Sequence, residues 1–109
     1  MIVEQLFEQV AASLLEEDPS LGQGRMMRAV GLKTDGKFFA MVVKDELVVK
    51  LPAERVDELI ADREGRRFDP GHGRRMKEWV TLRPADEESC RAYAVEARDF
   101  VASLMKTTG

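Results

Sequence analysis

The dipeptide Asp35-Gly36 is the feature that most limits how this chain can fold. It stands between two apolar runs, RMMRAVGLK (25–33) and KFFAMVV (37–43). Asp-Gly suits a tight two-residue turn because both central residues must reach positive φ. Runs joined so closely predict two antiparallel strands. A third run, ELVVKL (46–51), follows Lys44-Asp45, which reads as another tight turn although it lacks glycine. Within that run Leu47, Val49 and Leu51 share one face, and Val48 and Lys50 the other. An antiparallel meander is the simplest arrangement.

The segments around the meander have helical period. In 2–17, Ile2, Leu6, Val10 and Leu14 form one stripe, with Phe7, Ala11 and Leu15 beside it. The opposite face is acidic, which favours a core-facing helix over a membrane-surface one. Pro19, Gly22 and Gly24 predict a loop after it. Pro52 suits the start of a short helix over 52–62, buried through Val56, Leu59 and Ile60. Arg66 to Asp69 extends briefly, Pro70-Gly71-His72-Gly73 turns the chain, and MKEWVTLR (76–83) reads as a last strand. There Met76, Val80 and Leu82 face one way, and Lys77, Trp79 and Thr81 the other. Asp86 is placed to cap a final helix over 86–106, with Tyr93, Ala97, Phe100, Val101 and Leu104 as its stripe. The expectation is one α+β domain over 1–109. It has two layers and an antiparallel sheet of about five strands, in the order α-β-β-β-α-β-β-α.

Few residues invite catalysis. The single cysteine, Cys90, falls near the buried stripe of the last helix and reads as a packed, inert thiol. The single histidine, His72, has no second ligand at metal spacing. Gly71-His72-Gly73 begins like a dinucleotide fingerprint, but the last glycine is missing and a strand follows instead of a helix. No phosphate-loop motif occurs. The expectation is therefore a protein that is not an enzyme, with no metal and no cofactor. The chain shows no secretory leader and no apolar run approaching the roughly 20 residues of a membrane span. With its lone cysteine, this points to a cytoplasmic protein without membrane contact.

Charge is unevenly distributed. The net charge is -3, yet residues 63–77 hold six basic side chains against Glu64 and Asp69. A local basic segment thus sits on an acidic body. Arg66, Arg67, His72, Arg74, Arg75, Lys77 and Trp79 are the candidate contact residues. Arginines beside flexible glycines can grip phosphates or carboxylates in bidentate fashion, and Trp79 can stack on a base or cover an apolar partner. The same arginines could instead be solvated or paired with the acidic helices.

Several separated segments together resemble the TfoX (Sxy) N-terminal domain family. They are GRM (24–26), GLK (31–33), GKFFAM (36–41), LVVKLP (47–52), RVDELIA (55–61) and FDPGHGRRMKEWV (68–80). The likeness spans nearly the whole chain and lies in the ordered set rather than in any one piece. It departs at Met27 and Arg28, where the family usually has an aromatic residue and a glycine. The resemblance implies a small α+β domain related to bacterial competence regulators, without catalytic residues to carry over. The function expected is a non-enzymatic regulatory or protein-interaction module with an unidentified protein partner. A sheet edge open to strand pairing would also allow a homodimer. The alternative is a nucleic-acid-associated factor that sets Arg66, Arg67, Arg74 and Arg75 on phosphates. The acidic remainder of the chain weighs against it.

Overall fold

The computed structural model describes residues 2–26, 29–69 and 77–106. The N-terminal stripe forms α1 (Val3–Glu17) and buries Val3, Leu6, Phe7, Val10, Ala11 and Leu14. Asp18 stops the helix. Its backbone is extended, and its carboxylate accepts the Ser20 N–H at 3.1 Å and the Ser20 hydroxyl at 2.6 Å. That local turn directs the chain into the sheet.

Six strands follow, β1 (Leu21–Met26), β2 (Ala29–Thr34), β3 (Lys37–Val43), β4 (Glu46–Lys50), β5 (Gly65–Arg67) and β6 (Trp79–Leu82). They lie in the order β1-β2-β3-β4-β6-β5, and each neighbouring pair is antiparallel. Helix α2 (Ala53–Ala61) connects β4 to β5, and α3 (Glu87–Lys106) ends the described chain. The α+β class, antiparallel sheet and paired layers are as the sequence predicts. Both expected turns form. Asp35 and Gly36 have φ 51° and 77°, and Lys44 and Asp45 have φ 52° and 59°. Lys44-Asp45 manages without glycine, and Asp45 has a second task. Its Oδ1 accepts the Glu4 N–H at 3.0 Å, so the hairpin tip caps an otherwise unpartnered donor of α1.

The strand count and the element order differ from expectation. The described residues form six strands, in the order α-β-β-β-β-α-β-β-α, because the run 25–33 is divided. Arg25 and Met26 end β1, and β2 begins at Ala29. The predicted loop at Gly22 and Gly24 is inside β1. Glycine there is a matter of space, not of turning. Gly24 pairs with Gly31, and a Cβ on Gly31 would stand 2.8 Å from the Ala40 carbonyl oxygen and 2.9 Å from the Phe38 ring. A Cβ on Gly24 would strike the Lys33 side chain, which lies 4.9 Å above the Phe38 ring centroid. A register shift at Leu32/Lys33 leaves Phe39 without an opposite residue in β2. Such a bulge lets both Phe39 and Ala40 reach the core.

The core lies between one sheet face and the helices. Leu32, Phe39, Leu47, Val49, Val80 and Leu82 meet α1, Val56 and Leu59 of α2, and Cys90, Ala94, Ala97 and Val101 of α3. Each fully buried leucine or valine contributes about 2 kcal/mol through the apolar surface it removes from water. The predicted stripe of α3 is rotated towards Cys90 and Ala94, and Leu104 stays 37% exposed. Pro52 stands just before α2 rather than within it, and the Asp86 carboxylate accepts the Ser89 N–H at 2.8 Å as the expected cap. The opposite sheet face carries no described helix. Met41 and Val48 are buried there beneath Val43, Phe68 and Trp79. Among the described residues, no helix is long and apolar enough to cross a membrane.

Candidate functional site

The basic segment enters the fold as a divided surface. Strand β5 is three residues long, and its period of two sends Arg66 and Arg67 to opposite faces. Arg66 stands opposite Thr81 and binds the Glu46 carboxylate. Arg67 turns towards α2, where its guanidinium donates to Asp57 Oδ1 at 2.8 Å. Neither is an idle cation. Lys77 joins Arg67, Ala53 and Asp57 around a shallow cleft of about 450 Å³. His72, Arg74 and Arg75, and the Pro70-Gly71-His72-Gly73 turn, lie outside the described residues.

Trp79 is half-buried and helps to cover Met41 and Val48. Its carbonyl accepts the Phe68 N–H at 3.0 Å, so the two aromatic residues are tied by backbone as well as packing. Lys50 stands 5.9 Å from its ring centroid and 4.0 Å from Glu78. These contacts give Trp79 a packing role on the helix-free face.

A larger cleft opens where β5, β6, α2 and α3 converge. It has a volume of about 650 Å³, and Arg63, Arg66 and Arg83 stand in its lining with Glu64, Ile60 and Tyr93. Its foundation is Glu46, only 8% exposed. One carboxylate oxygen accepts from Arg66 and the other accepts from Arg83 Nε at 2.9 Å. The Arg66 hydrogen bond, more than any other influence, holds the Glu46 carboxyl below its ordinary pKa. Arg83 lowers it further against the opposing effect of burial. Tyr93 donates to Glu64 at 3.5 Å, and burial together with that carboxylate raises the phenol pKa.

Sequence reasoning counted Arg63 only as local charge and passed over Glu46 and Arg83. A signal was present in ELVVKL. Alternation puts Glu46 on the face of Val48, so an acid at that position predicts a cationic partner.

Cys90 is fully buried, and burial pushes its thiol up to about 11. Burial disfavours the thiolate, and the side chain packs within the core. No group of three or more metal-ligating side chains occurs among the described residues.

The far edge of the sheet is of another kind. Among the described residues, strand β1 pairs only with β2, and its exposed residues include Gln23 and Arg25. The Leu21 N–H bonds to the Asp18 carbonyl at 3.1 Å rather than to β2. The strand period then turns the N–H and C=O of Gln23 and Arg25 outward as well. A groove of about 580 Å³ runs beside this edge on the helix side, with Phe7, Ala11, Leu15, Gln23, Val30 and Val42 in its walls. Val30 is 39% exposed.

No protein-family model, curated protein or solved structure matches the chain.

Proposed function

We propose that the chain is a cytoplasmic, non-enzymatic regulatory or protein-interaction module of the TfoX N-terminal kind. In this reading it meets an extended segment of a protein partner, or a second copy of itself, along β1. The observation that carries it is the outward backbone of Gln23 and Arg25 on an edge strand that no described element covers. Such an edge accepts another strand through main-chain hydrogen bonds, and the groove beside it, apolar at Phe7, Ala11, Leu15, Val30 and Val42 and charged at Glu4, Glu8, Lys44 and Asp45, can take alternate side chains. The order of the segments 24–26, 31–33, 36–41, 47–52, 55–61 and 68–80 supports the family reading. A nucleic-acid backbone held by Arg66 and Arg67 together has less support, because the strand period sends the two side chains to opposite faces of β5 and Arg67 is paired with Asp57.

The test is a pull-down from native extract with nuclease present, comparing wild type, Gln23→Pro and the pair Arg66→Glu/Arg67→Glu. Proline removes one outward N–H and is tolerated on an edge strand. A protein held by wild type and by the arginine variant, and lost with Gln23→Pro, is the expected result. Recovery that vanishes with nuclease and with the arginine variant would sink the reading.

A further inference from the structure

We propose that the cleft between β5, β6 and the start of α3 binds a small molecule carrying a phosphate monoester. This site stands apart from the β1 edge and does not depend on that edge's role. Its volume, about 650 Å³, is that of a small-molecule site. Arg66 and Arg83 are fixed side by side because each bonds a different oxygen of the same buried carboxylate, Glu46. Their side chains are nevertheless 63% and 75% exposed, so N–H donors remain on both guanidinium groups. Two cations anchored in this way favour a polyvalent oxyanion that can bridge them.

Arg63 is the more telling residue. Helix α2 ends with Arg63 N–H on the Ile60 carbonyl at 3.1 Å and Glu64 N–H on the Leu59 carbonyl at 2.9 Å. That pair of bonds defines a helix stop whose left-handed residue is usually glycine. Here it is arginine at φ 62°, a conformation with a steric penalty for any residue bearing a Cβ. Arg63 has no ion-pair partner among the described residues, and it lines the same cleft as Arg66 and Arg83. A residue that strains the backbone without gaining an ion pair among the described residues makes sense as a ligand contact. Ile60 and Tyr93 supply an apolar wall for the organic part, while Glu64 on the rim disfavours indiscriminate anion uptake.

The experiment follows backbone amide resonances during titration with phenyl phosphate, with benzoate and sodium chloride at matched ionic strength as comparison arms. Phenyl phosphate is expected to move the amides of Gly65, Arg66, Ala85 and Ser89 saturably, with benzoate and chloride leaving them in place. Arg63→Gly separates ligand from fold. It is expected to raise the melting temperature by relieving the left-handed strain, yet to weaken phenyl phosphate binding about tenfold. Absence of a saturable response in wild type would overturn the proposal. So would equal binding of benzoate, or an Arg63→Gly protein that binds as tightly as wild type.

Discussion

The two edges of the sheet solve the same problem in opposite ways. Any edge strand presents backbone donors and acceptors that another chain could take up. At β5 the strand is three residues long, α2 packs against it, and Arg66 and Arg67 engage acids on either face. At β1 the strand is six residues long, no described element lies outside it, and Gly22 and Gly24 keep its profile low. One edge is closed by charge and a helix. The other keeps its hydrogen-bonding groups turned outward. The difference teaches that Arg66 and Arg67, conspicuous in the sequence, are engaged within the fold, while the plain stretch LGQGRM offers the freer surface.

The strongest way to break this comparison is to disturb the close approach that holds β1 and β2 to β3. Gly31→Val places a side chain against the Ala40 carbonyl and the Phe38 ring, where there is no room for even a Cβ. It is expected to destabilise the protein by about 3 kcal/mol in urea unfolding, at the upper end for overpacking. Gly22→Ala, in the same β1–β2 ladder, meets nothing within 4 Å and is expected to change stability by less than about 0.5 kcal/mol. Equal effects at the two glycines would remove the close-approach argument.

The next effect belongs to the closed edge. Glu46→Gln loosens Arg66 and Arg83 together and is expected to cost about 1 kcal/mol near neutral pH, limited by the exposure of both guanidinium groups. Its pH dependence has a definite sign. The folded carboxyl lies below its ordinary value of 4.5, chiefly through the Arg66 hydrogen bond, whereas the unfolded one returns to that value. Its contribution is therefore whole above pH 4.5 and is lost as pH falls through the lower folded value. Glu17 and Asp18 are shifted in the same direction by Arg91 and Ser20. The difference between wild-type and Glu46→Gln acid unfolding curves isolates the one group. Parallel curves for the two proteins would contradict the shared-carboxylate account.

Smaller still is Asp57→Ala, which frees Arg67 on the helix side. The acid is 62% exposed, so the expected loss is about 0.5 kcal/mol by thermal unfolding. A loss several times larger would make this pair a structural clamp rather than a guard on the edge.

Much of the fold could be read from the chain because its signals are local. The Asp35-Gly36 turn, the alternation of Leu47 and Val49 against Val48, and the stripe of α1 each need only a few neighbouring residues. Strand β1 escaped that reading because Gly22 and Gly24 look like loop residues until Lys33 and Phe38 are placed beside them. The candidate sites were less legible for the same reason. Arg66 and Arg67 are adjacent in sequence but fall on opposite faces of β5, while Arg66, Arg83 and Glu46 meet only through the β4-β6-β5 order of the sheet. The left-handed strain at Arg63 depends on where α2 stops, which sequence fixes only to within a few residues.

The central claim, an open β1 edge, is tested most directly by amide hydrogen exchange along β1 in dilute protein shown to be monomeric by sedimentation. The amides of Gln23 and Arg25 should exchange close to the unprotected rate, while those of Gly22 and Gly24, turned towards β2, should be slowed. Slow exchange at all four positions in the monomer would mean that something in the chain already covers this edge, and the interaction reading would fall.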